Sequence, residues 1–381
     1  MIRVLINAGP WLPVPPNGYG GIENIVATLV PELRRLGVHV VLATIGASTL
    51  PVDEKLSVYD DPQFAALLRP YNRVMGCANA HMRRVIQELR SRDDIDLVHD
   101  HLEVVGPTVL SAMESTAPPV LHTLHWDLAK HPELYGSFDG AGRIFVNGVS
   151  ASQLSRAPEA LQRHSLGHVH LATPLAEGAD LRDLPPKSSY FLVLGRITPG
   201  KGQHIAVRLA HRAGVNVVLA GPVGPYRQPE ALAKALHEDP EAGRNPDVRY
   251  WCDEVSSFVD GSRVRWVGSL GGQERDDLLA RAAATLFPLE WEEPGGTAVV
   301  ESLALGTPVV GYTRGCLPEL VEHGVTGFLV DPGDEDALVG TMGRVGELDP
   351  MVCRKVAAER FTPAVMADGY LALYEKVLGT R

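Results

Sequence analysis

One short plan is written twice in this chain, and it constrains the fold more than any other feature. Ile2-Arg3-Val4-Leu5-Ile6-Asn7 reads as a buried strand, followed by a Pro/Gly-rich loop ending Asn17-Gly18-Tyr19-Gly20-Gly21. A helix comes next, with its apolar stripe on Ile25, Leu29, Leu33 and Leu36; Gly37 closes it, and Val38 to Ala43 is the next strand. Near the middle of the chain the plan recurs. Tyr190 to Leu194 is a strand, Gly195 to Gly202 a glycine-rich basic loop and Ile205 to Ala213 a helix; Gly214 ends it before the strand Val215 to Ala220. Two such starts, each followed by further alternation, predict an α/β chain of two doubly wound, Rossmann-like domains with parallel sheets.

Short apolar strands continue the first domain at Leu97 to His99, Val120 to His122 and Ile144 to Val146. The second adds Val264 to Val267, Thr285 to Phe287, Val309 to Gly311 and Phe328 to Val330. The polar stretch Asp180 to Ser188 breaks on two prolines and reads as the hinge. Pro225 to Gly261, rich in Pro, Asp and Arg, reads as irregular. A last helix, Pro363 to Val377, carries Met366, Tyr370, Leu373 and Val377 on one stripe. In open α/β sheets ligands bind beyond the carboxyl ends of the strands, where the Gly-rich loops of both domains lie, so a site between the domains is expected.

A length of 381 residues suits two domains that each bury a core. The net charge of -11 argues against a broad nucleic-acid or anionic-membrane surface, so a phosphate ligand would need a local basic pocket. Cys77, Cys252, Cys316 and Cys353 are scattered with no Cys-x-x-Cys pair, which indicates neither a disulfide framework nor a zinc ribbon. With no secretory signal and no run of spanning length, a cytoplasmic location is expected.

Glu293 and Glu301 bracket Glu-Pro-Gly-Gly-Thr-Ala-Val-Val-Glu. The first lies in a loop after an apolar strand. The second lies one turn inside a helix, Thr297 to Leu305, that opens on Gly295 and Gly296. Such a helix start points free N–H groups and a positive dipole end into the loop, and a carboxylate beside it suits a ligand with both hydroxyls and phosphates. A solvated acidic run at Glu290-Trp291-Glu292-Glu293 and a structural ion pair at Glu301 would explain the same residues. Gly20-Gly21-Ile22-Glu23 could bring backbone close to a diphosphate, although tight turns also use glycine pairs. It is neither a P-loop nor a Gly-x-Gly-x-x-Gly fingerprint. Arg196 and Lys201, framed by Gly195, Gly200 and Gly202, can converge on one diphosphate. His99, His101, His122 and His125 stand at strand ends with Asp100 and Asp127 nearby, a set that could instead ligate a divalent metal.

Taken in order, Gly20-Gly21-x-Glu23, Gly195-Arg196 with Lys201-Gly202, Glu293-x7-Glu301, Gly306-Thr307-Pro308-Val309-Val310, Gly315-Cys316-Leu317-Pro318-Glu319 and Gly324 to Val330 resemble the family 4 retaining glycosyltransferases of the GT-B fold. The resemblance spans nearly the whole chain. It implies two Rossmann-like domains facing across a cleft: residues 1–182, completed by a helix at about 363–381, and residues 187–361. It further implies that Glu301 accepts from the donor ribose and Glu293 from a sugar hydroxyl, with N–H groups from Gly295, Gly296 and Thr297 near sugar and phosphate. Arg196 and Lys201 would hold the diphosphate as it leaves, Gly20 and Gly21 would approach it from the first domain, and His125 would contact the sugar. No metal or other cofactor is implied; the donor, UDP-linked ahead of GDP-linked, is a co-substrate.

Two segments depart from the family pattern. Pro294-Gly295 stand where many relatives carry an aromatic residue, and Leu171-Ala172-Thr173-Pro174-Leu175 replaces the usual Asn/His-Gly-Val/Ile-Asp. The Glu-Pro-Gly-x-Thr variant resembles transferases that decorate bacterial natural products, including one from avilamycin biosynthesis. The acceptor, a small molecule or glycan, is expected to enter past Trp11, Tyr19 and Trp126. The alternatives are a GT-B-fold nucleotide-sugar epimerase, a metal hydrolase built on the four histidines, and a non-catalytic nucleotide-sugar-binding protein.

Overall fold

Strand β1 (Arg3–Asn7) is paired in parallel on both sides, with β2 (His39–Ala43) and with β4 (Leu97–Asp100). The computed structural model describes residues 1–18, 20–113, 117–181 and 183–379. Tyr19, expected beside the acceptor path, and Arg182, within the expected hinge, lie outside the described residues. With β3 (Glu54–Leu56), β5 (Val120–Thr123), β6 (Ile144–Gly148) and β7 (Ser165–His168), the first sheet has seven parallel strands in the order β3-β2-β1-β4-β5-β6-β7. The second sheet runs β10-β9-β8-β11-β12-β13. Its strands are β8 (Tyr190–Leu194), β9 (Asn216–Ala220), β10 (Val264–Trp266), β11 (Ala284–Phe287), β12 (Val309–Tyr312) and β13 (Gly327–Val330), again all parallel. Both sheets are therefore doubly wound, and the chain is an α/β protein of two Rossmann-like units. One unit comprises Met1–Pro174 with Pro363–Arg381, the other Leu175–Thr362.

Each sheet is covered on both faces because its strands are apolar on both faces. In the first unit the helix Gly21–Arg35 lays Ile25, Val26, Leu29 and Leu33 on β1, and the last helix, Pro363–Gly379, adds Met366, Tyr370, Leu373, Tyr374 and Val377 to the same core. The helix Tyr71–Ser91 covers the opposite face with Met82, Val85 and Leu89. Full burial of such side chains stabilises by about 1.5–3 kcal/mol each. In the second unit the helix Gln203–Ala213 and β9 build one core, while Val299, Val300 and Leu303 of the helix Thr297–Ala304 build another with Leu317, Leu320 and Phe361.

Three readings need correction. The strands β3 and β7 carry too little apolar sequence to be recognised; they form the two outer edges of the first sheet, where one neighbour suffices. The stretch Pro225 to Gly261 is not irregular. It holds the helices Pro229–Glu238 and Pro246–Tyr250 and a π-turn at Trp251–Val255, because Leu232, Val248, Tyr250, Trp251 and Val255 are buried in the second core. The division between the units falls at Pro174/Leu175, ahead of the proline-rich stretch that looked like the hinge.

Candidate active site

Both sheets reverse their strand order beside the first strand of the unit, between β1 and β4 and between β8 and β11. That switch point leaves a crevice at the carboxyl ends, and the expected site residues follow these strands.

In the second unit the loop after β8 and the loop after β11 are packed together. Glu290 N–H donates to Gly200 O at 3.0 Å. Gly202 has φ +70°, and a Cβ there would lie 1.9 Å from Pro288 O, so only glycine permits this approach. The consequence is direct contact between Lys201 and Glu293, ion-paired with side chains 24% and 15% exposed. The Lys201 Nζ also lies 5.0 Å from the centre of the Trp291 ring, a cation–π distance. From behind, Cys316 N–H donates to Glu293 O at 2.9 Å and Gly315 N–H to Glu292 Oε2 at 2.6 Å, which fixes the height of the loop. Arg196 is exposed, and its guanidinium bonds to none of the described residues.

Gly296, at φ +62°, caps the helix Thr297–Ala304; a Cβ there would collide with Leu320 Cδ1 and Cys316 Sγ, at 2.7 and 2.8 Å. Pro294, Gly295 and Gly296 are all buried, so the small residues opposite the family's aromatic are part of the packed loop. The N–H groups of Val299 and Val300 donate to Gly296 O at 2.8 and 3.2 Å, which leaves those of Thr297 and Ala298 without an acceptor among the described residues. Glu301 sits one turn further in. Burial pushes its carboxyl above the usual carboxylate range, and Arg275, which donates to Oε1 at 3.1 Å, pulls it back. Arg275 was absent from the sequence reading. It comes from the helix Gly272–Arg281, whose run Gln-Glu-Arg-Asp-Asp reads as a solvated face.

In the first unit the glycine pair opens the helix Gly21–Arg35. A Cβ on Gly20 would strike Pro16 at 2.6 Å, whereas one on Gly21 would meet open space. Packing thus explains the first glycine and not the second. Each of the four histidines is hydrogen-bonded through its ring. His99 uses both ring nitrogens, Nδ1 to Tyr374 Oη at 2.7 Å and Nε2 to Thr123 Oγ1 at 2.8 Å. His101 Nδ1 meets His125 Nε2 at 2.9 Å, and His122 Nδ1 meets Asp100 Oδ2 at 2.7 Å. Glu103, unnoticed in the sequence, organises the end of β5. Its Oε1 accepts from the N–H groups of His125 and Trp126 at 2.6 and 3.0 Å, and its Oε2 from Tyr135 Oη–H at 2.8 Å.

The charges follow from these contacts. Burial opposes a charged His122, yet Asp100 and Glu103 on either side raise it to about 10. Burial also opposes a charged Glu103, and His122 with the backbone N–H donors lowers it to about 2. Burial keeps His125 neutral, lowering it to about 4. The histidines are thus members of a buried polar network, in which the Nε2 atoms of His101 and His122 have no hydrogen-bond partner among the described residues. Trp11 is half-buried and Trp126 is 37% exposed. Leu171, Ala172 and Thr173, the second departure from the family pattern, are buried in the first unit.

Residues 19–170 match the family model described as Glycosyltransferase Family 4, and residues 182–355 the one described as Glycosyl transferases group 1. The chain belongs to glycosyltransferase family 4, with the GT-B fold. This glycosyltransferase is 29% identical over 314 residues to the D-inositol 3-phosphate glycosyltransferase of Mycolicibacterium smegmatis, a match covering 74% of this chain and 68% of the relative. Among solved structures it is similar to AviGT4, a glycosyltransferase involved in avilamycin A biosynthesis, with 26% identity, a TM-score of 0.64 and coverage of 100% and 99% of the two chains. Anabaena HepE, solved in complex with UDP and glucose, has the same fold at 18% identity and a TM-score of 0.64, covering 99% of this chain and 100% of its own. Neither the epimerase, the metal-hydrolase nor the binding-protein alternative finds support in these matches. Among the described residues no helix is long and apolar enough to cross a membrane.

Proposed function

We propose that this glycosyltransferase moves a hexose or related sugar from a nucleotide sugar, UDP-linked ahead of GDP-linked, to a hydroxyl of a small-molecule or glycan acceptor, with retention at the anomeric carbon and without a metal. The observation that carries the reading is the contact of Lys201 with Glu293, 92 positions apart in sequence, at the β8/β11 switch point, with Glu301 on the helix that starts beside them. One cation, two carboxylates and a helix start together match a ligand with a diphosphate, a ribose and a sugar. The UDP and glucose bound by HepE support the uridine reading.

Lys201 and Glu293 satisfy each other. A donor would exchange that pair, its diphosphate taking Lys201 and a sugar hydroxyl donating to Glu293. Arg196 would join Lys201 on the phosphates and the N–H groups of Gly295, Gly296 and Thr297 would point at sugar and phosphate, while Glu301 accepts from ribose. In the first unit, Gly20 and Gly21 are assigned to the phosphates and neutral His125 to the sugar. As the bond from the anomeric carbon to phosphate oxygen breaks, the acceptor oxygen bonds to the same face and its proton passes to the departing phosphate. Negative charge grows on that phosphate, so Lys201 and Arg196 act most strongly in the transition state.

The two glutamates separate the parts of this reading. Glu301→Ala is expected to weaken UDP and UDP-sugar alike by about ten- to a hundredfold, the worth of a charged hydrogen bond. Glu293→Ala should leave UDP affinity near the wild-type value while turnover collapses. Calorimetry with UDP and with the intact donor checks both; equal loss of UDP affinity in two folded variants would overturn the division of roles.

A further inference from the structure

Glu301 and Arg275 are both half-buried, with side chains 14% and 28% exposed, and they come from different helices 26 positions apart. A half-buried carboxylate on a helix whose Val299, Val300 and Leu303 are fully buried needs a partner, and one cation at 3.1 Å provides it. Two features make the arrangement more than a structural tie. Arg275 reaches Glu301 through Nη1 alone, while its Nε and Nη2 donate to Asp276 Oδ1 at 3.0 and 2.8 Å, so the guanidinium is itself anchored. The bond falls on Oε1 only; Oε2 accepts from no described residue. A fork anchored at its base and touching one oxygen holds the carboxylate while leaving the other oxygen for a ligand.

We propose that Arg275 is a positioning residue, which sets the Glu301 carboxylate in place for the hydroxyls of the donor ribose. The inference rests on the reading of Glu301 as the ribose acceptor. Arg275 touches no reacting atom in this scheme and acts through Glu301. The charged groups that bear on Glu301 are Arg275, which favours its charge, and Asp276, which opposes it. Removing Arg275 leaves burial and Asp276, both of which favour the protonated form. Binding that needs the carboxylate should then weaken more steeply as pH falls than it does in the wild type.

The test is calorimetric titration of UDP, 2′-deoxy-UDP and 3′-deoxy-UDP into wild type, Glu301→Ala, Arg275→Met, Arg275→Lys and the Arg275→Met/Glu301→Ala double variant, between about pH 5.5 and 8, a range chosen to bracket a raised carboxyl. Arg275→Met is expected to lose about tenfold in UDP affinity, the scale of one charge-assisted hydrogen bond. The loss should grow toward low pH. The penalty for a missing ribose hydroxyl should shrink, Arg275→Lys should recover part of the affinity, and the double variant should bind no worse than Glu301→Ala. If the wild type does not bind UDP, or Glu301→Ala binds it unchanged, the ribose reading of the site falls and this inference with it. If Glu301→Ala weakens binding while folded Arg275→Met binds like the wild type at every pH, Glu301 keeps its role and Arg275 has none.

Discussion

The two switch points solve the same problem in opposite ways. In the first unit the polar groups beyond β1, β4 and β5 are almost wholly buried: His99, Asp100 and His101 are 0% exposed, His122 1% and Glu103 4%. Most of their polar atoms pair with one another, although the Nε2 atoms of His101 and His122 have no hydrogen-bond partner among the described residues. In the second unit the corresponding pairs, Lys201 with Glu293 and Arg275 with Glu301, sit at the edge of burial, each with a side chain that water can reach. A buried network that loses one member leaves charges stranded; an edge pair can exchange its partner for a ligand. The first arrangement is read as scaffold and the second as machinery, a distinction between stability and turnover that mutation can break.

The largest expected effect is on stability, in the first unit. Glu103→Ala removes the acceptor of three hydrogen bonds and leaves His122 with one counter-charge, which should cost about 3–5 kcal/mol. Denaturant unfolding measures it, and a loss below that of an ordinary surface substitution would show the network to be dispensable. Next comes Lys201→Ala. Its turnover should fall by about a hundred- to a thousandfold, the scale of one transition-state charge partner, with a smaller loss in donor affinity and little change in the unfolding midpoint. Unchanged turnover with a raised KM would make Lys201 a binding residue only.

A smaller, pH-dependent effect sharpens the comparison. The folded His122 holds its proton up to about 10, above the value of 6.5 expected when unfolded. Between those values the folded state binds the proton and the unfolded chain does not, so the contribution of His122 to stability should be complete below pH 6.5 and decline as pH rises toward 10. His122→Gln should flatten this alkaline slope. The smallest effect is expected from a chelator. If Arg196, Lys201 and the helix start supply the positive charge, excess EDTA should leave turnover unchanged, and activity restored only by Mg²⁺ or Mn²⁺ would refute that assignment.

The architecture was legible because the first strand of each unit is a short apolar run with a glycine close behind, Gly9 after Ile2 to Asn7 and Gly195 after Tyr190 to Leu194. The edge strands were not, since Glu54–Leu56 and Ser165–His168 need only one neighbour and carry few apolar side chains. Likewise, Lys201, Glu293 and Glu301 stood out through their glycine frames. Arg275 and Glu103 did not, because a lone charge in a polar helix or after a strand looks solvated until folding brings its partner from 26 or about 20 positions away. The four histidines show the converse failure. Their clustering was visible, but metal ligation and mutual hydrogen bonding use the same residues, and only the ring contacts separate them.

The last helix has a consequence for the order of events during synthesis. Tyr374 and Tyr370, which reach His99 and Thr123, belong to the stretch that follows the whole second unit, Leu175–Thr362. At ~5–20 residues per second the ribosome spends roughly ten to forty seconds making that insertion. Throughout that interval the first sheet exists without the helix that caps Leu29 and Leu33, and His99 waits for its phenol. The unit whose residues come first is therefore the one that closes last, with the second unit free to fold in the meantime.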